Sequence, residues 1–515
     1  MKDTRFARGT IIIALLVPAL GGAVSVDDPP VGIFADEWYA VMFSGHKSGH
    51  MHATMERIKR PGGDVIRTKT DMTLQVGRAG TPVKVGVIQE TTETLDGQPV
   101  AFSNRTQLGA LPSPSVTTGQ IKDGKVIVTS SQFGQQAAER TCDLPKGAMM
   151  SWAVYREQIK RGLKPGTRYE LATYEPSLSP SNITPMILEV LQRETVDLFG
   201  RKLEAVKTKQ TIAMKNLLGQ QTDVDTITWM TDEGTAVRID MTMLNIPIKV
   251  LSCTKSVALS PNDPAELMMD TLIPAEGPVD HQARRITYRL SLKKPSGSAR
   301  LPDLPETGMQ RTVKKAKDAI EVEVTRRSAD QPRGHGQALP KDQRQRYLQA
   351  AGMVNYKDPV VAQLAKQAAG EEKDPLKLAD RLRRFVGDYV QSKNLSVGFA
   401  SASEVARTRQ GDCTEHGVLL AALGRAVGIP TRIVTGVLHT NQFAGRPNVF
   451  VGHLWTQFWI DGEWIDLDAA QDQTVVDPAH IALSLSDAGD TGLADLISSV
   501  WLTLGNLKIA VLSSE

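Results

Sequence analysis

Cysteine is nearly absent: Cys142, Cys253 and Cys413 are the only three in 515 residues. At most one disulfide can form within the chain. A Cys142–Cys253 pair would leave Cys413 as an odd thiol, which in an exported protein suggests reactivity; two buried free thiols in the N-terminal half is the equal alternative. Aromatic residues make up only 5% of the chain, and no basic run is interleaved with them. A nucleic-acid platform of the usual kind is therefore not present. Charge of one sign is lacking too. The net charge of +3 is too near neutral to argue for nucleic acid or an anionic membrane surface. Beyond the N-terminus no segment is long and apolar enough to cross a bilayer. No repeat of fixed period is visible. What remains, 41% hydrophobic and 23% charged residues, is ordinary for a globular protein, and the length allows about two to four domains.

The N-terminus carries Lys2, Arg5 and Arg8, then an apolar stretch from Ile11 to Leu20, then Ala23-Val24-Ser25. Positive charge, a short apolar run and small residues, in that order, predict an export signal over residues 1–25, or an uncleaved anchor. The expected location is periplasmic or extracellular. Residues 31–275 read as an antiparallel all-β domain. Alternating runs such as Val83, Val85 and Val87 are separated by turns such as Asp96-Gly97 and Asp123-Gly124, and a helix near Met149–Arg161 interrupts them. A large curved sheet or open barrel is expected. His46, His50 and His52 cluster there, but Gly45 and Gly49 between them predict a hairpin rather than a metal site. Residues 276–330 read as a small β module or linker, and the polar stretch Ser328–Asp342 as the boundary. Residues 331–515 read as α+β. Asp358-Pro359 and Asp374-Pro375 start helices, Leu378, Leu382, Phe385 and Tyr389 share one face, and Ser401 with Glu404 forms a capping box.

The chemistry sits in RQGDCTEHGVLLAALGRAVGIPTRIVTGVLH, residues 409–439. Asp412 and Glu415 make a capping box, so Cys413 occupies the first helical position. Val418, Leu419, Ala422, Leu423 and Val427 give the helix a buried face, and Gly428 with Pro430 ends it. A structural cysteine would more usually lie among residues like Leu423. At a helix start the dipole favours the thiolate, the reactive form. The Cys413 backbone N–H would point at a developing oxyanion.

The second segment, FVGHLWTQFWIDGEWIDLDAA (residues 450–470), reads as a hairpin turning at Asp461-Gly462. That turn pairs Ile460 with Glu463 and sets Trp455 opposite Asp468. His453 and Asp468 then share a face as diagonal neighbours, roughly 7–8 Å apart at Cα. Asp466 shares the face at greater distance. His453 would take the thiol proton, and Asp468 would orient the imidazole. His416, one turn from Cys413, projects along the helix side and reads as structural. His439 and His480 could join His453 at a metal, and Asp466, Asp468, Asp472 and Asp477 could suggest calcium. Neither set has the spacing of a standard site, so no metal or cofactor is expected.

These segments, with FASASEVARTRQ upstream, resemble the core of bacterial transglutaminase-like proteins, over roughly Asp358 to Asp477. The resemblance implies a papain-like α+β fold with Cys413 as nucleophile, His453 as base and Asp468 as third member. The tryptophan that precedes the cysteine in cross-linking transglutaminases has no counterpart; the nearest upstream one is Trp229. The expectation is thus an exported enzyme that hydrolyses a peptide, protein or other amide through a thioester. Transamidation of protein glutamine, or a non-catalytic envelope binding protein on the same scaffold, are the alternatives.

Overall fold

A computed structural model describes residues 25–109, 114–132, 135–136, 139–177, 179–215, 221–243, 246–293, 301, 303–327, 338–393, 395, 397, 400–488, 504 and 506–515. The signal or anchor expected over residues 1–25 lies outside the described residues except for Ser25. So does most of the boundary stretch at 328–342. Among the described residues no helix is long and apolar enough to cross a membrane.

The N-terminal half is a large antiparallel sheet, fifteen strands among the described residues. Its first strand, Gly32–Phe43, pairs with both the next strand, His46–Ile58, and the last, Ile246–Cys253, so two meanders meet in mid-sheet. Period-two alternation builds the core. Tyr39, Met51, Met72 and Val87 stand in one row across four strands and are buried together. The opposite face of the same strands carries His50, His52, Asp71 and Ile88. His46, His50 and His52 lie on one hairpin, as the glycines predicted. His46 and His52 bond to Asp263 and Asp36 at 2.9 and 2.7 Å, and His52 stacks on Trp38. The interrupting helix, Ser151–Arg161, buries Trp152 and Tyr155. Cys142 and Cys253 are free thiols, each half-buried, so the disulfide considered for them is not formed.

A second sheet, mostly antiparallel, follows the order Gln310–Lys315, Ala319–Thr325, Arg285–Leu292, Leu507–Ser514, Ile273–Glu276, Arg446–Ile460, Thr431–Phe443, His480–Ser486, with Glu463–Leu467 also on Arg446–Ile460. The stretch expected as a separate module at 276–330 supplies three of these strands. The C-terminal strand lies between Arg285–Leu292 and Ile273–Glu276 and zips them together. The divisions expected at 275 and 330 thus fall within one sheet, because the segments bury their apolar residues in one core: Ile286, Tyr288 and Val322 with Phe450, Ile481 and Ile509. Against the end of this sheet pack helices Pro359–Ala369, Pro375–Tyr389, Ala402–Thr408 and Cys413–Ala426, around Leu382, Val386, Leu419, Leu423, Leu454 and Phe458. The architecture is therefore an N-terminal all-β sheet followed by an α+β region. Asp358, Asp374 and Ser401 cap their helices as the sequence predicts. The face of Pro375–Tyr389 is centred on Ala379, Leu382 and Val386, so Leu378, Phe385 and Tyr389 flank it only part-buried.

Candidate active site

The site forms where helix Cys413–Ala426 meets strand Arg446–Ile460. Asp412 accepts the Thr414 N–H at 3.0 Å, and Glu415 accepts the Asp412 N–H at 2.9 Å, closing the capping box. Glu415 also accepts the Ala400 N–H at 2.9 Å, tying the preceding loop to the helix start. The helix is buried all round from Thr414 to Arg425. It comes very close to the strand: a Cβ on Gly417 would meet Leu454 Cδ2 at 2.2 Å, and Thr456 Oγ1 donates to the Gly417 carbonyl at 2.9 Å. That approach sets Cys413, one turn earlier, with its sulfur against the Leu454 N–H, the backbone group that follows His453.

The hairpin register is as the turn predicts. Asp461 and Gly462 both have positive φ, 51° and 85°, the condition for a two-residue turn that matches strand twist. Ile460 pairs with Glu463 and Thr456 with Leu467, and Asp468 follows. His453 Nε2 lies 2.6 Å from Asp468 Oδ2. Asp468 Oδ1 accepts the Ala470 and Gln471 N–H groups at 2.8 and 3.1 Å. Asp468 is therefore an acceptor on both oxygens. Although burial alone would raise it, His453 and His480 hold it well below the usual carboxylate range. An ionised Asp468 accepts from His453 Nε2 and so fixes the orientation of the ring. Asp466 is spent on structure: its Oδ1 accepts from Trp455 Nε1 at 2.7 Å and Gln457 Nε2 at 2.8 Å, and burial pushes it up.

His480, which the sequence reading weighs only as a metal partner of His453 and sets aside, is joined to the site by hydrogen bonds. Its Nε2 lies 3.1 Å from Asp468 Oδ2 and its Nδ1 3.0 Å from Asp477 Oδ1. To serve two carboxylates it must donate from both nitrogens, as an imidazolium. Burial opposes that, but the two carboxylates win and raise it to about 9. The chain of contacts continues. Asp477 Oδ2 meets His281 Nδ1 at 2.9 Å, His281 Nε2 meets His439 Nδ1 at 3.0 Å, and His439 Nε2 meets Asn448 Oδ1 at 2.8 Å. Four of the nine histidines thus converge on one line. No local spacing signals it, because its members come from five separate segments. His453 Nε2, Asp468 Oδ2 and His480 Nε2 lie within 4.8 Å of one another, near enough to share a cation. Their hydrogen bonds account for that closeness, and His480 supplies the positive charge between the carboxylates. Asp472 instead pairs with Arg383. His416 Nδ1 bonds the Asp412 carbonyl at 2.6 Å, the structural role expected of it.

The thiol departs from expectation. A helix start should favour the thiolate, yet burial pushes the Cys413 thiol up, and the Asp412 carboxylate adds to this. Arg78 and the Leu454 N–H pull the other way without prevailing. The reason is desolvation: a dipole effect of roughly 1 kcal/mol is outweighed when water is removed from the anion.

Residues 362–469 match the transglutaminase-like superfamily, and this part of the chain is a transglutaminase-like domain. The matched stretch includes Cys413, His453 and Asp468 and stops short of His480. No curated protein matches the chain. Among solved structures it is similar to a candidate cysteine protease from Cytophaga hutchinsonii, with 15% identity over 45% of this chain and 89% of that one and a TM-score of 0.30. It is also similar to a β-barrel-like protein of a domain of unknown function from Brucella abortus, with 15% identity over 44% and 96% and a TM-score of 0.33. A third is a candidate protease from Parabacteroides distasonis, with 9% identity over 75% and 68% and a TM-score of 0.18.

Proposed function

We propose that this chain is an exported cysteine hydrolase of peptide or other amide bonds, with Cys413, His453 and Asp468 as its catalytic residues. The observation that carries the reading is the buried His453–Asp468 pair at 2.6 Å, on the strand whose next residue, Leu454, turns its N–H to the Cys413 sulfur at the start of a helix. Cys413 Sγ attacks the amide carbon while its proton passes to His453 Nδ1. The tetrahedral oxyanion then collapses, and the imidazolium protonates the leaving amine, giving a thioester and a free amine. Water attacks the thioester, its proton goes to His453, and the acid leaves with the thiol restored. The Cys413 N–H, first in the helix, is the donor we assign to the oxyanion.

Trp455 is packed over His453 with ring centroids 6.0 Å apart and is held by Asp466, so it fills the core beside the site. This supports water rather than an amine as the acceptor, because no apolar acceptor channel is built from it. The test uses amide substrates with excess primary amine. Hydrolysis releases free acid. Partition mainly to an amine adduct at millimolar amine means transamidation instead. Cys413→Ala should abolish turnover, Asp468→Asn should lower kcat by about 10³-fold or more, and Asp466→Asn should chiefly lower Tm. Full turnover with Cys413→Ala would assign the nucleophile to another group, and no turnover in the wild type would leave only a binding role for the scaffold.

A further inference from the structure

Arg78 is the last residue of strand Val65–Arg78 in the N-terminal sheet, far in sequence from Cys413. Its Nη2 lies 2.6 Å from Asp412 Oδ2, and its Nη1 reaches the Leu395 and Val397 carbonyls at 3.4 and 3.3 Å. The two Asp412 oxygens have separate duties. Oδ1 caps the helix through Thr414, while Oδ2 is buried with no hydrogen-bond donor of its own among the described residues. The Arg78 contact is an ion pair off the hydrogen-bonding angle, and it is what neutralises that oxygen. The tip presenting Arg78 is tied to the Ala265-Glu266 segment by hydrogen bonds. Glu266 accepts the Ala79 and Gly80 N–H groups at 2.8 and 2.9 Å, and Gly77 donates to the Ala265 carbonyl at 2.8 Å. A Cβ on Gly77 would sit 2.7 Å from Glu266 Oε2. Leu108, from another strand of the same sheet, packs into the helical core.

We infer that Arg78 is a positioning residue for the Cys413 thiol: the N-terminal sheet completes the active site by neutralising the carboxylate that caps the nucleophile's helix. Asp412 is needed as a cap, yet its charge adjoins the sulfur and opposes the thiolate. Arg78 resolves the conflict from the other half of the molecule. The other groups that act on the sulfur are Glu415 on its own helix and the Leu454 N–H across from it; His416, also on that helix, bonds the Asp412 carbonyl, and His453 precedes Leu454 on the strand. Glu415 is held far above its ordinary range by burial and by Asp412, so it adds little competing charge.

The inference rests on Cys413 being the nucleophile, and its test is read by labelling rather than turnover. Iodoacetamide alkylation of Cys413 in the full-length chain is followed against pH by peptide mapping. Arg78→Gln should move the alkylation profile up by about one pH unit or more, and Arg78→Lys should lie near wild type. Asp412→Asn keeps a cap but leaves Arg78 unopposed, so its profile should move down. The double variant R78Q/D412N should return towards wild type. Coincident profiles for wild type and Arg78→Gln, an unmoved Asp412→Asn, or a double variant that stays with Arg78→Gln would each overturn the inference. Should Arg78→Gln fail to fold, Asp412→Asn still decides by its direction. Absence of amidase activity in the wild type would sink the proposed function and leave these profiles readable.

Discussion

Asp466 and Asp468 are two residues apart, share a face and are both buried, yet their surroundings give them opposite characters. Burial dominates for Asp466, whereas two histidines and two backbone N–H groups hold Asp468 ionised. The role of a carboxylate thus depends on the count and kind of its donors. His480 follows the same logic in reverse, as a buried cation between Asp468 and Asp477. Its pKa is raised from 6.5 to about 9, so its stabilisation is complete below 6.5 and is lost as pH rises through about 9. Above that, a neutral imidazole can donate to only one of the two carboxylates. Activity should therefore fall with an alkaline limb near pH 9, and Tm should fall with it. His480→Gln should lower activity at all pH values and abolish that limb; a variant keeping the wild-type limb would show that another group titrates there.

At the scale of elements, the helix that interrupts the N-terminal meander is capped by one buried acid from a strand of that sheet. Glu93 accepts the Trp152 and Ala153 N–H groups at 2.7 and 3.0 Å, capping helix Ser151–Arg161, whose own N-cap residue is Met150 with no side-chain bond. A sequence search for caps looks for Ser, Thr, Asp or Asn just before the helix, and so could not find an acid from a distant strand. Burial raises Glu93 to about 7, although both N–H groups pull it down. A raised carboxyl pKa means that its contribution is complete below the unfolded value of 4.5 and is lost as pH rises through about 7. Thermal melts should show Tm dropping over that window in wild type. Glu93→Gln keeps an acceptor for the helix and should flatten the dependence; an unchanged slope would assign it to another group.

For the whole molecule, the second sheet is closed by its last strand. Leu507 and Ile509 are fully buried, and Leu507–Ser514 bonds to strands from residues 285–292 and 273–276. Deleting residues 507–515 should cost about 2–5 kcal/mol for each buried aliphatic lost, with the ladder bonds besides, and so abolish cooperative unfolding of the α+β region. A melt with wild-type Tm would mean that the strand is dispensable. The same strand explains why a module expected at 276–330 does not stand alone: one edge of Arg285–Leu292 is paired only by the C-terminal strand.

Local signals were enough to read the helix starts, the hairpin register and the Cys413, His453 and Asp468 positions. Each depends on a cap, a turn or a side-chain parity spanning a few residues, and such features are fixed by steric and hydrogen-bonding rules within one segment. The Asp461-Gly462 turn alone sets His453 against Asp468. Only the tertiary structure brought in His480, Asp477, His281 and Arg78, and only it reversed the expected tendency of the Cys413 thiol. Those depend on which distant groups share a dry volume, and desolvation and charge pairing act through space rather than along the chain.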